Sequence, residues 1–263
     1  MLELYNFAPS TCSLKVRICL AEKGLEWVDH RMDSRDGEHL RPAYLKLNPN
    51  GVVPTLIHDG NVIIDSSVIM EYLDEVFPGG RLTPEDPVRR AHMRKWLRYF
   101  EEVPTPAVRY PSFNRVLIQG FANMSAAQFE TAANSRPLRK HFYQRMGQDG
   151  FGDEDMDKAV EDIRNTVARM EAALAGAGPW LMSDHFTLAD ICVAPSIDRM
   201  EDLGYEALWE ENHPRVTDWF RRMKARPAYR VAYYTGARFS DIYPELGLGR
   251  SSPAPARLSR SCV

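Results

Sequence analysis

The chain has 263 residues, of which 44% are hydrophobic and 26% charged, and its formal net charge at pH 7 is −3. These values are typical of a globular protein of one or two domains, and they exclude the basic field that a nucleic-acid partner requires. No apolar run reaches the length of a membrane span and no secretory signal precedes the first strand, so we expect a cytoplasmic protein without a membrane partner.

Residues 1–80 predict an α/β domain, because strand and helix patterns alternate along them. The predicted elements, in chain order, are a strand at 2–7, a helix at 13–24, a strand at 27–32, a short helix at 40–47, strands at 53–58 and 62–64, and a helix that ends before Pro78. The last two strands are joined by Asp59-Gly60-Asn61, a strong hairpin signal. A parallel βαβ crossover is therefore followed by a ββα unit.

Residues 81–87 predict a linker, and residues 88–248 an all-helical domain. The clearest helical patterns lie at 88–103, 156–174, 188–203 and 216–225. Residues 104–152 fit least well, because several prolines interrupt short amphipathic segments. Residues 249–263 are rich in serine, proline and arginine, a composition that predicts a mobile tail.

Ser10-Thr11-Cys12-Ser13 begins the first predicted helix. Unpaired N–H groups and a partial positive charge at a helix N-terminus stabilise a thiolate by about 0.3–1 kcal/mol. A hydroxyl there can donate to a bound thiolate, and a cysteine there can itself be the nucleophile. For this motif alone, N-capping is the simpler interpretation. The four cysteines of the chain lack the spacing of zinc ligands or of a disulfide framework.

Two later motifs also suit a charged ligand. Proline in the Val53-Pro54 strand removes a hydrogen-bond donor; a cis bond would expose the Val53 backbone to a ligand, and a trans edge-strand proline is the simpler alternative. Asp65-Ser66-Ser67 precedes the next helix, where serine can bind a carboxylate and aspartate an ammonium group, although capping alone also explains it. Together the three motifs indicate a site for a small charged thiol.

In this order the motifs resemble the thioredoxin-like domain of the glutathione transferases. A second match, Phe186-Thr187-Leu188-Ala189-Asp190-Ile191, resembles the helix-capping box of that family. The resemblance covers about residues 1–235. It implies an α/β thioredoxin-like N-terminal domain plus an all-α C-terminal domain, an enzyme that uses glutathione, and a homodimer.

The resemblance also implies a set of glutathione-binding residues. Val53 would pair its backbone with the cysteinyl part of glutathione, with Pro54 in the cis form. Asp65 and Ser66 would bind the γ-glutamyl end, and His39 the glycyl carboxylate, although a solvated helix histidine is nearly as good an interpretation. Ser10 at the first helix start belongs to the same predicted site. The family often has Gln, Lys or Arg where this chain has Val52, so one side-chain contact is expected to be missing.

Two branches of the family compete. The N-terminal motifs look like the bacterial tetrachlorohydroquinone reductive dehalogenase, in which a cysteine at the position of Cys12 resolves a glutathionyl intermediate. The remainder looks closer to the serine-type bacterial β-etherase that cleaves lignin-derived β-aryl ethers, and in that interpretation Ser13 faces the glutathione sulfur. We therefore expect Ser13 and Cys12 as alternative catalytic residues, with ether cleavage as the leading reaction. Dehalogenation, general conjugation and a non-catalytic glutathione-binding module remain alternatives.

The second substrate is expected to be a small aromatic electrophile. Tyr99, Tyr110, Phe113 and Phe142 are the candidate substrate-binding residues, although aromatic residues at helical spacing more often belong to a core. The segment 104–152 is expected to lie over the cleft between the domains and to determine the substrate. Its basic cluster, residues 136–145, could bind an acidic or phenolate substrate, but a solvated helix face is the favoured interpretation.

Overall fold

The computed structural model describes residues 1–176 and 178–249. The predicted mobile tail, 249–263, lies outside the described residues except for Gly249. The N-terminal elements are β1 (Leu2–Asn6), α1 (Thr11–Glu22), β2 (Val28–Arg31), α2 (Pro42–Leu45), β3 (Thr55–His58), β4 (Asn61–Ile64) and α3 (Ser66–Val76), with a single 3₁₀ turn at Glu38–Leu40. They follow the predicted order, with the short helix at 40–47 divided between the 3₁₀ turn and α2.

The strands form one four-stranded sheet in the order β2-β1-β3-β4. β1 runs parallel to β2 and antiparallel to β3, and β3 pairs antiparallel with β4. The parallel pair is connected through α1, as the βαβ prediction requires. Asp59 and Gly60 both have positive φ, 47° and 82°, as a two-residue hairpin turn demands, which confirms the hairpin.

The second part of the described chain is helical. Its elements are α4 (Pro87–Glu102), α5 (Pro104–Ala107), α6 (Arg109–Arg115), α7 (Ala126–Asn134), α8 (Lys140–Met146), α9 (Asp153–Ala173), α10 (Leu188–Asp202), α11 (Ala207–Glu210), α12 (Pro214–Ala225), α13 (Pro227–Ala232) and α14 (Phe239–Ile242), with 3₁₀ turns at Leu117–Phe121 and Pro244–Leu246. The four strongest helical patterns correspond to α4, α9, α10 and α12, and the predicted fold class is confirmed. None of the described helices combines the length and apolarity needed to cross a bilayer.

Segment 104–152 is a set of short helices with its own small core. Phe121, Phe129, Met146 and Phe151 pack together with Ala133, apart from the main core of the protein. Prolines at the starts of the short helices explain why the sequence shows no long periodicity here, since proline is tolerated in a first helical turn but ends a helix interior.

Helix α10 is the buried centre of the helical part. The predicted capping box at its start is confirmed: the Thr187 hydroxyl accepts from the backbone of α10 and the Asp190 carboxylate accepts from Thr187 N–H at 3.0 Å. The other Asp190 oxygen accepts from Leu181 N–H at 3.0 Å and from the Trp219 indole at 2.9 Å. A fully buried carboxylate is thus satisfied by donors from three chain segments.

Helix α1 lies between the sheet and the helical part, and two buried cations fasten it. The Lys15 ammonium, which is fully buried, pairs with Glu101 of α4 at 2.6 Å and donates to the Thr105 hydroxyl at 3.0 Å. On the opposite side, the Arg17 guanidinium donates to the Asn6 side chain at 2.9 Å and to the Ala8 carbonyl at 2.7 Å.

Replacing Lys15 by Met should lower the free energy of unfolding by roughly 2–3 kcal/mol, because Glu101 is left without its cation in a largely buried place. The double variant Lys15→Met/Glu101→Leu should recover most of that loss. Lys158→Met is the matched control, since Lys158 pairs with Asp162 on an exposed helix face, where loss of an ion pair should change the free energy of unfolding very little. Urea unfolding measures the free energy of unfolding of all three variants. Equal decreases for Lys15→Met and Lys158→Met would contradict the stabilising role of the buried Lys15–Glu101 pair.

Candidate active site

A cavity of about 330 Å³ lies between the sheet domain and the helical part. Its floor comes from the start of α1, the Phe7–Pro9 loop, His39 and the loop before β3. Its roof comes from α6, the 3₁₀ turn at Leu117–Phe121, α8 and α10. The segment 104–152 therefore covers the cleft, as expected from the sequence.

The start of α1 presents Ser10, Thr11 and Cys12 to this cavity. Ser10 is the N-cap residue, with extended backbone, and its Oγ accepts a hydrogen bond from the Ser13 N–H at 3.2 Å. Because this bond uses a lone pair of the Ser10 hydroxyl, its proton is free to be donated into the cavity. The Cys12 thiol is partly exposed and free.

Ser13 does not line the cavity, which corrects the expectation that its hydroxyl faces the ligand sulfur. Its side chain is completely buried, and its Oγ has no hydrogen-bond partner among the described residues. Residues four apart on a helix share a face, so Ser13 points the same way as the buried Arg17, toward β1. The sequence showed the helix start correctly but could not fix the rotation of the helix.

The loop before β3 is held by side chains that were not singled out in the sequence. Asn48 and Tyr44 both donate to the Val52 carbonyl, at 2.9 and 2.7 Å, and both contact the Thr55 hydroxyl. The peptide bond between Val53 and Pro54 is cis, as the resemblance implied. Val53 lines the cavity, and its backbone N–H and C=O make no hydrogen bond within the described chain. Pro54 is buried behind it.

Asp65 and Ser66 lie at the start of α3, outside the cavity lining. Asp65 has a positive φ of 72°, and its Oδ1 accepts from Ser67 N–H at 3.0 Å, Ser67 Oγ at 2.7 Å and Val68 N–H at 3.2 Å. Its Oδ2 has no hydrogen-bond partner in the residues that the structure describes. Ser66 is buried. Asp65 thus caps the helix and keeps one carboxylate oxygen available.

His39 lines the cavity and is only 8% exposed. Its ring packs edge-on against Phe7 at 5.0 Å between centroids, and its Nδ1 has no partner among the described residues. Burial, together with the positive charges of Arg136 and Arg139, lowers the pKa of His39 to about 4. The interpretation of His39 as a solvated histidine is therefore wrong, and at neutral pH it is an uncharged group that faces the cavity.

The aromatic wall of the cavity consists of Phe113, Phe121 and Tyr143. Of the four candidate substrate residues only Phe113 is part of it. Tyr110 and Phe142 lie one layer behind: the Phe142 ring contacts Phe113 at 5.0 Å and Tyr110 at 5.7 Å.

Tyr99 is further away. It belongs to the main helical core, where its hydroxyl is 3.1 Å from that of Thr166. Tyr99, Tyr110 and Phe142 therefore do not line the cavity, which corrects the expectation from the sequence. The direction of the short helices cannot be read from the sequence, so the sequence does not show which aromatic side chains face the cleft.

Positive charge surrounds the cavity, whose arginines are Arg35, Arg109, Arg136, Arg139 and Arg199. Within the described residues no aspartate or glutamate lines it. The favoured interpretation of the 136–145 cluster as a solvated face is therefore wrong for Arg136 and Arg139. It fits Arg145, which is exposed and pairs with Asp155 outside the cavity. No sequence pattern indicated Arg109 or Arg199 as lining residues.

Two family models match the chain: "Glutathione S-transferase, N-terminal domain" over residues 9–76 and "Glutathione S-transferase, C-terminal domain" over residues 144–222. Protein LigF of Sphingobium sp. (strain NBRC 103272 / SYK-6) is 33% identical over 244 residues, which are 90% of this chain and 95% of LigF. The chain belongs to the glutathione S-transferase family.

Two more comparisons concern the β-etherase and the reductive dehalogenase to which the sequence was compared. The crystal structure of β-etherase LigF from Sphingobium sp. strain SYK-6 matches with a TM-score of 0.81, covering 88% of this chain and 98% of that one. The tetrachloro-p-hydroquinone reductive dehalogenase of Sphingobium chlorophenolicum is 26% identical over 87% of this chain and 94% of its own length. The predicted family, its transferase class and glutathione as cosubstrate are confirmed. The roles of individual residues remain predictions.

The His39 imidazole should remain neutral down to about pH 5 in the folded protein. The unfolded chain binds this proton near pH 6.5 and the folded chain near 4, so the free energy of unfolding should fall as pH decreases through that window. Nuclear magnetic resonance of labelled imidazoles, with His39→Gln to assign the signal, measures the titration. A pKa near 6.5 would contradict the buried, arginine-flanked environment.

Proposed function

We propose that this glutathione transferase cleaves β-aryl ethers with glutathione thiolate. The observation that carries the proposal is the cavity itself, which joins the free donors at the α1 start to an aromatic wall and a cationic lining. The likeness to a β-etherase across nearly the whole chain supports the same reaction.

Glutathione would lie along the floor of the cavity. The unpaired Val53 backbone suits the cysteinyl amide, and the open oxygen of Asp65 with the α3 N-terminus at Ser66 suits the γ-glutamyl ammonium and carboxylate. His39, neutral and with a free Nδ1, suits the glycyl end. In this arrangement the ligand sulfur would lie at the α1 start.

The thiolate would be stabilised there by the hydroxyl of Ser10 and by backbone N–H groups of the first turn, with Cys12 beside them. The thiolate attacks the carbon that bears the aryloxy group, so a C–S bond forms as the C–O bond breaks. The bonding pair leaves on a phenolate, which takes a proton from water. The protein's contribution is orientation and charge stabilisation, without a covalent enzyme intermediate.

Reductive dehalogenation is the second candidate, and the exposure of Cys12 to the cavity favours it. In that reaction glutathione thiolate first displaces chloride from the ring, so that a glutathionyl–arene thioether forms, and the Cys12 thiolate then attacks the sulfur of this thioether. The arene leaves with the bonding pair and is protonated, and a Cys12–glutathione disulfide remains for a further glutathione to reduce. We also propose that the protein is a homodimer and is located in the cytoplasm, as expected from the sequence, whichever of the two reactions it catalyses.

Purified protein, glutathione and a β-aryl ether ketone should yield a glutathionyl ketone and an equimolar amount of free phenol, identified by mass spectrometry. The same experiment with a chlorinated hydroquinone tests the second candidate. Dechlorinated product with glutathionylated Cys12, and no ether cleavage, would overturn the leading proposal. Glutathione binding without either product would point to general conjugation or to a binding module.

A further inference from the structure

Arg109 and Arg139 face the cavity without an acceptor. Neither guanidinium has a hydrogen bond, an ion pair or an aromatic ring beneath it within the described residues. The other cavity arginines are engaged. Arg35 pairs with Asp33 at 2.8 Å, Arg136 stacks on Tyr143 at 4.1 Å, and Arg199 stacks on Phe239 at 3.6 Å.

The two free guanidinium groups line the same cavity, and their charges interact. Burial and the charge of Arg139 lower the pKa of Arg109 to about 10, which leaves it protonated at neutral pH. Two like charges held together in a partly buried cavity repel each other, and a bound anion removes that cost. The planar fork of each guanidinium matches the two oxygens of a carboxylate.

The position of the pair indicates which ligand carries the anion. Arg109 and Phe113 stand four residues apart on α6, so they share one helical face, and both line the cavity. Cys12, at the start of α1, lines the same cavity. Arg109 therefore belongs to the aromatic side of the cavity, where the second substrate lies. The charge of Arg139 acts on both Arg109 and His39, so Arg139 lies between that side and the His39 end.

We propose that Arg109 and Arg139 bind a carboxylate on the second substrate, so that the preferred electrophiles are aromatic compounds bearing an acidic group. The inference rests on the proposed function, because it takes the aromatic wall as the substrate side. Glutathione also carries carboxylates, and the test separates the two sources.

The test compares S-(para-carboxybenzyl)glutathione with S-(para-methylbenzyl)glutathione by isothermal titration calorimetry, because the two ligands differ only at the aromatic end. The native protein should bind the carboxybenzyl ligand at least about tenfold more tightly, a difference of about 1.4 kcal/mol. Arg109→Met and Arg139→Met should each bring the two affinities within about threefold, while the Kd of free glutathione stays unchanged.

Arg145→Met is the matched control, because it removes the same charge from the same segment outside the cavity, and it should preserve the preference. Equal affinities in the native protein would overturn the proposal. So would weaker binding of free glutathione in Arg109→Met or Arg139→Met with the preference intact, since the pair would then hold the tripeptide. Absence of ether cleavage alone would contradict the proposed function and leave this binding result unaffected.

Discussion

The buried Arg17 guanidinium is the contact on which the rest of the arrangement depends. It ties α1 to β1 through Asn6 and to the chain just before the helix through Ala8, and it donates a further hydrogen bond to the Tyr234 hydroxyl from the C-terminal part of the chain. A buried cation without these acceptors would be strongly destabilising. The contact therefore fixes both the rotation of α1 and the position of the helical part relative to the sheet.

That rotation decides which groups meet the ligand. Ser13, on the Arg17 side, turns away from the cleft, and Ser10 and Cys12 turn toward it. Lys15 and Glu101 then bind the same helix to α4, from which the chain continues into the roof of the cavity. Buried polar contacts to the single helix α1 thus position both the floor and the roof of the cavity. The aromatic wall, in contrast, is formed by residues that belong to or pack against the separate small core of segment 104–152.

Local motifs were enough to predict the fold and the floor of the site. Strand alternation, the Asp59-Gly60 turn and the Thr187–Asp190 capping box act over a few residues, so the sequence displays them directly. The roof could not be predicted in the same way. Arg109, Arg136 and Arg139 reach the cavity through the packing of short helices that begin with proline or with no side-chain cap, and no periodic pattern indicates which side chains face inward. Ser13 was misjudged for the related reason that a helix start does not reveal the helix rotation.

The central claim is that the α1 start stabilises a glutathione thiolate through Ser10 and not through Ser13. The most direct measurement is the pKa of bound glutathione, followed by the ultraviolet absorbance of its thiolate in the native protein, Ser10→Ala and Ser13→Ala. Loss of the Ser10 donor should raise this pKa by about one unit and lower turnover at neutral pH about tenfold or more. Ser13→Ala should leave both unchanged. A raised pKa in Ser13→Ala, with Ser10→Ala like the native protein, would contradict the account.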